Sequence, residues 1–246
     1  MKRGQSYGWI PDTPDHRDYL YRTIAPRLKL PSKIDLRSEC SAVENQGRLG
    51  SCTANALAGN LQFLEKVTGQ TYKDVSRLFI YYNERALEGK VGFDSGAMLR
   101  DGIKALAQYG VCPELTWPYD ITRFTLKPTA VCYKQALRHR IVSYHRLQTL
   151  DEMLNCLADG FPFVFGFTVY ESFESLKVAQ TGIVPMPKKS ERVLGGHAVM
   201  AAGYDQKQKR FIVRNSWGEE WGQAGYFTMP YAYFETLADD FWTIRQ

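Results

Sequence analysis

The sequence predicts an α+β fold in which helices and strands are segregated along the chain. Between residues 52 and 109, apolar residues recur at helical spacing. Beyond residue 160, short runs rich in Val, Phe and Ala are separated by polar turns, which is a strand pattern. The chain has 246 residues, 44% of them hydrophobic and 23% charged, enough to bury a sizeable core without disulfides.

Residues 1–30 come first. Pro11, Pro14 and Pro26 hold this stretch extended, and no periodicity runs through it, so it reads as an N-terminal arm. Residues 31–140 form a mainly helical part. From Cys52 to Val67, Ala54, Leu57, Ala58, Leu61 and Leu64 share one helical face, and Gly69 supplies a stop. Val75–Leu87 and Met98–Tyr109 read as further helices, the latter ended by Gly110. Residues 141–246 form a mainly β part. A helix over Leu150–Ala158 precedes strands over Phe161–Val169, Ala198–Tyr204, Phe211–Arg214 and Tyr226–Met229, and Asp205–Arg210 reads as a hairpin connection.

Composition excludes several classes. The net charge of +5 is mild and spread out, with no run of like charges, so no nucleic-acid partner is expected. The N-terminal MKRGQSYGWIPD has no apolar segment after its basic residues, and no stretch is apolar enough for a membrane span. The five cysteines are odd in number and form no CxxC, which favours free thiols. The expected location is cytoplasmic, or outside the cell by a route without a classical signal peptide. HExxH does not occur, so no metal or other cofactor is expected, and the GxSxG match at Gly4–Gly8 lies in the arm, outside any strand-to-helix pattern, so a serine hydrolase is disfavoured. The chain is expected to act as a monomer.

NQGRLGSCTANALAGN, Asn45–Asn60, places Cys52 where a glycine-punctuated loop turns helical. A helix N-terminus and a nearby imidazolium both lower a thiol pKa, which a cysteine nucleophile needs. His197 is the best-placed histidine, because LGGHAVMAAGYD sets it behind two glycines at the entry to a buried strand. Asn215, in VRNSWGEEWGQAGYF, offers a carbonyl to orient the imidazole, with Trp217 and Trp221 able to cover that bond. The Gln46 amide and the Cys52 N–H make a plausible pair of oxyanion donors. Cys40, Cys112, Cys132, Cys156, His16, His139 and His145 lack such contexts and read as structural.

NQGRLGSC, GGHAVMAAGY and NSWGEEWGQAGYF resemble the three motif blocks of papain-like cysteine peptidases, and the resemblance spans about residues 31–246. It implies a two-lobed fold with a helical left lobe, a β-barrel-like right lobe and the active-site cleft between them. It implies Cys52 as nucleophile, His197 as general base and acid, Asn215 as its orienting partner, Gln46 in the oxyanion hole and Trp217 as cover. The implied activity is hydrolysis of peptide bonds in a peptide or protein substrate through a thioester. Amidase, transglutaminase-like or deubiquitinase chemistry on the same residues, or an inactive binding module, are the alternatives. By the same resemblance Met98, Gly166, Gly195 and Ala198 wall the main side-chain pocket, so a large hydrophobic side chain is expected there. Ser95 and Gly96 would offer backbone hydrogen bonds to an extended peptide.

Leu49 and Thr53 stand where the family usually has a cysteine and an aromatic residue, so the usual disulfide is lost and a bacterial-type branch is implied. The arm is far shorter than the family's inhibitory segment. It is expected either to lie over the cleft and limit activity, or to pack as a belt on the surface.

Overall fold

The computed structural model describes residues 6–26, 28–69 and 74–246. The first five residues of the predicted arm lie outside them. The helices are α1 (Cys52–Val67), α2 (Arg77–Leu87), α3 (Leu99–Tyr109), α4 (Ala130–Ala136), α5 (Leu150–Ala158), α6 (Leu176–Thr181) and α7 (Tyr231–Thr236). The strands are β1 (Lys33–Asp35), β2 (Ser143–Arg146), β3 (Phe163–Tyr170), β4 (Val193–Asp205), β5 (Arg210–Arg214), β6 (Tyr226–Pro230) and β7 (Ala238–Arg245).

Helices α1 to α3 pack together around Leu57, Leu61, Leu78, Phe79, Ile103 and Leu106. α1 is buried almost all round, because its other face lies on β4. Its polar residues are therefore partnered, as burial demands. Thr53 donates to Glu84 of α2 at 2.6 Å, Gln62 bonds Ser41 and Asp74 at 2.7 Å each, and Asn55 donates to the Ser51 carbonyl at 2.9 Å.

The strands form one antiparallel sheet in the order β2-β7-β3-β4-β5-β6, with β1 added on β4. Its edges, β2 and β6, do not pair with each other, so the right-hand sheet is open and not a closed barrel. Phe163, Phe165, Phe167, Phe173, Phe211, Phe234 and Phe241 fill its core, in tilted and edge-on ring contacts. Among the described residues no helix is long and apolar enough to cross a membrane.

The two halves are tied at the loops that carry the motifs. The Gln46 N–H donates to the Ser216 carbonyl at 2.9 Å, and the Gly218 N–H to the Glu44 carbonyl at 3.0 Å. Arg214 reaches from β5 to the Ala42 carbonyl at 2.5 Å and passes Gly59 of α1, where a Cβ would stand 3.0 Å from its Nε.

The arm meets both expectations for its path. Residues 6–10 lie in the cleft between the halves, with the Trp9 N–H on the Gly196 carbonyl at 3.0 Å and the Ile10 N–H on the Ala97 carbonyl at 3.0 Å. Beyond Asp12 it runs as a belt along β2, where the Arg146 N–H donates to the Tyr19 carbonyl at 2.7 Å. Tyr21 then buries itself in the right-hand core.

Candidate active site

Cys52 opens α1 because the loop before it is held on every side. Gly47 takes φ +63° while its N–H bonds the Asn45 side chain at 2.9 Å. The Gly50 N–H bonds the Asp94 carboxylate at 3.0 Å. The Ser51 hydroxyl is committed to Tyr119 at 2.5 Å and does not cap the helix.

Across the cleft, His197 on β4 is fully buried and its Nε2 lies 2.8 Å from Asn215 Oδ1. With the amide oxygen as acceptor, Nε2 carries the proton and Nδ1 holds the lone pair. Nδ1 is buried with no hydrogen-bond partner among the described residues. Trp217 stacks on the imidazole at 5.0 Å between ring centroids, and Trp221 meets Trp217 edge-on at 5.2 Å. Asn215 is itself fixed, since its oxygen also accepts the Ser216 N–H at 2.9 Å.

Gln46 is fully buried, and its Oε1 accepts from the Ser216 hydroxyl at 2.6 Å, which leaves Nε2 to donate. That donor points at the Ser6 carbonyl at 3.1 Å and the Leu49 carbonyl at 2.9 Å. A carbonyl of the arm therefore occupies the proposed oxyanion donor.

The Cys52 thiol is covered, and burial pushes its pKa up to about 11. The N–H groups of Ala198, Gly8 and Thr53 work against that rise by pointing at the sulfur. Burial likewise holds His197 down to about 4, with the Asn215 hydrogen bond opposing. Both groups are thus neutral at pH 7. The helix N-terminus does not win in this closed state, because desolvation outweighs it.

The arm causes much of this covering. The Tyr7 ring stands edge-on to His197 at 5.9 Å, and its hydroxyl donates to Glu174. The Gly8 backbone contributes to holding the Cys52 pKa down, and its carbonyl accepts the Ala97 N–H at 2.8 Å. The Trp9 ring lies where Gly166 and Gly196 have no side chains, and a Cβ at either would collide with Trp9.

The expected pocket residues are distributed as follows. Gly166 lies against Trp9, Gly195 against Tyr7, and Ala198 directs its N–H at Cys52. Met98 caps α3 beside Ala97, its N–H on Glu88 at 2.8 Å. The Gly8 backbone packs on Gly96, but the arm's hydrogen bonds go to Ala97, and Ser95 turns its hydroxyl to the Gly96 carbonyl at 2.8 Å. Tyr7, Trp9, Asp12, Glu174 and Asp240 escaped sequence reasoning. Only the aromatic-glycine-aromatic order of Tyr7-Gly8-Trp9 signals them in advance.

All five cysteines are free and buried, so the missing upstream cysteine is not replaced by another bridge. A buried thiol at a helix N-terminus and a histidine–asparagine pair on the sheet are the components of a thiol-hydrolase type of site. Residues 30–236 match the family described as papain family cysteine protease. The chain belongs to that family and is a cysteine protease. It is 45% identical to xylellain, a cysteine protease from Xylella fastidiosa, whose structure superposes with a TM-score of 0.90 over 100% of this chain and 98% of that one. An uncharacterized peptidase C1-like protein of Acanthamoeba polyphaga mimivirus is 44% identical over 98% of this chain and 87% of its own length. Chymopapain of Carica papaya is 24% identical over 87% of this chain, which spans only 58% of that relative.

Proposed function

We propose that the chain hydrolyses peptide bonds by way of a thioester on Cys52, and that its own arm holds it latent until displaced. His197 Nδ1 takes the thiol proton as Sγ bonds the substrate carbonyl carbon. The Gln46 amide and the Cys52 N–H receive the oxyanion. The C–N bond then breaks, and His197 returns the proton to the leaving amine. Water, giving a proton to His197, attacks the thioester, the C–S bond breaks, and thiol and carboxylic acid are released. Asn215 keeps Nε2 protonated so that Nδ1 is the nitrogen that exchanges protons.

The observation that carries this reading is the His197–Asn215 bond at 2.8 Å under Trp217, which leaves the buried His197 Nδ1 without a partner among the described residues. The latent state is supported by the arm's polarity. The Gly8 backbone packs on Gly50 and Gly96, and its carbonyl is already bonded to the Ala97 N–H at 2.8 Å, so the arm fills the cleft with that carbonyl held away from the oxyanion donors. The test compares peptide turnover by the intact chain, Gly8→Val and Gly8→Val/Cys52→Ser. Turnover gained in the first variant and lost in the second supports the reading. No gain in a folded Gly8→Val protein rejects latency, and turnover that survives the loss of Cys52 rejects the mechanism.

A further inference from the structure

Asp240 lies at the inner end of the pocket that Trp9 fills. Trp9 Nε1 donates to its Oδ2 at 3.1 Å, and the Asp12 N–H donates to the same oxygen at 2.7 Å. Its other oxygen accepts from Arg146 at 2.9 Å. The residue is 1% exposed and sits at φ +55°, an uncommon conformation for a side chain other than glycine. Its N–H is held by Asp239 Oδ1 at 2.7 Å. The surrounding fold keeps a carboxylate in a place that favours neither the charge nor the backbone.

Both donors to Oδ2 belong to the arm. When the arm leaves, that oxygen is left facing the cleft at the end of a pocket floored by Gly166 and Gly196. A buried acceptor stripped of its donors favours any occupant that restores one.

We propose that Asp240 sets what the cleft accepts: the pocket selects a large aromatic side chain carrying a neutral hydrogen-bond donor, an indole above all, over a phenyl ring or a guanidinium. This rests on the reading that the arm occupies the substrate cleft. The glycines give room for a flat ring, and the carboxylate rewards an N–H at its far edge. A cation is not favoured, because cations are already in place. Arg146 bonds Asp18, Asp239 and Asp240 at 3.2, 3.1 and 2.9 Å, and Arg100 bonds Asp18 at 2.6 Å. Asp12 and Asp18 depart with the arm, which leaves Arg100 and Arg146 opposite Asp239 and Asp240. That set is balanced and has no spare negative charge for a substrate arginine.

Two measurements test the proposal. In the full-length Gly8→Val protein, peptides differing only at the residue that enters this pocket should be cut about tenfold faster with Trp than with Phe, the worth of a hydrogen bond to a charged acceptor. The ratio should fall towards one in Gly8→Val/Asp240→Gly, where glycine suits the positive φ. Equal or faster cutting of Phe or Arg peptides overturns the proposal. The second measurement needs no turnover. In the intact chain, Trp9→Phe removes the donor together with part of the ring and should speed alkylation of Cys52 by iodoacetamide by at least about tenfold. In an Asp240→Gly background, where only the ring loss counts, the same change should have an effect about tenfold smaller. If no peptide is cut, the functional reading fails and the alkylation pair decides alone. Equal alkylation of the intact chain and Trp9→Phe overturns the proposal.

Discussion

Gly8 lies so close to Gly50 that a side chain on Gly8 would collide with the Gly50 carbonyl, a backbone atom that cannot swing away. The Gly50 N–H is bound by Asp94, so the loop before Cys52 has little freedom to yield. Gly8→Val should therefore expel the arm, Asp12 and Asp18 included, and raise peptide turnover at least tenfold. Gly92→Ala is the control, because nothing lies within 4 Å of the added methyl and φ there is not positive. It should leave turnover unchanged.

Tyr7 of the arm and Glu174 of the right-hand half form a second fastening. Burial first, then the bond to Glu174, raises the Tyr7 pKa well above its ordinary value, so the phenol donates throughout the physiological range. Tyr7→Phe keeps the ring beside His197 and removes that bond. Alkylation of Cys52 should quicken by roughly tenfold, the worth of one hydrogen bond to a charged group.

Arm closure should respond to pH in two opposing ways. Burial, then the charge of Asp12, raises the pKa of Asp240 from 3.8 to about 7. Closure thus takes up a proton there, so this contribution is full below about pH 4 and is lost as pH rises towards 7. Burial lowers His197 from 6.5 to about 4, so closure releases a proton there and is penalised as pH falls below 6.5. The two offset each other between pH 4 and 6.5. Separated by mutation they should reappear, each at up to about tenfold per pH unit. Alkylation of His197→Ala should quicken as pH rises through that window, beyond the ordinary thiol titration of a reduced peptide. Alkylation of Asp240→Asn should instead quicken as pH falls, once corrected in the same way.

Within the cleft, Gln46→Ala in the Gly8→Val background should lower kcat by about 10²-fold while KM changes little, since an oxyanion donor acts mainly in the transition state. Steady-state kinetics on one peptide suffice to check it.

Thr53 follows the nucleophile and supports the fold more than the chemistry. It donates a side-chain hydrogen bond to the fully buried Glu84, whose other carboxyl oxygen has no partner among the described residues. Burial raises the Glu84 pKa well above the ordinary carboxylate range, with the Thr53 bond opposing. Thr53→Val should cost about 1–3 kcal/mol, read by urea denaturation.

The left half of the fold was legible because its signal is local. Helices at Cys52–Val67 and Leu99–Tyr109 follow directly from apolar spacing. β7 was not legible: Asp239 and Asp240 interrupt its apolar run, and only the arm and Arg146, far away in sequence, explain two acids there. β2 is four residues long and reads as part of a basic stretch, because its Arg146 has its acidic partners elsewhere in the chain. The Cys52, His197, Asn215 and Gln46 set was legible through motif context. That the arm crosses the cleft was one of its two expected paths, but the contacts by which Tyr7, Gly8 and Trp9 cover the set were not legible, because they join residues far apart in the chain.

Labelling with a peptide epoxide, which reacts with activated thiols, followed by mapping of the adduct, tests the central claim most directly. In Gly8→Val the adduct should form on Cys52 alone, at a rate well above that of the intact chain, and should vanish in Gly8→Val/His197→Ala. Adducts spread over several cysteines, or labelling of Cys52 indifferent to His197, would contradict a thiol activated across the cleft.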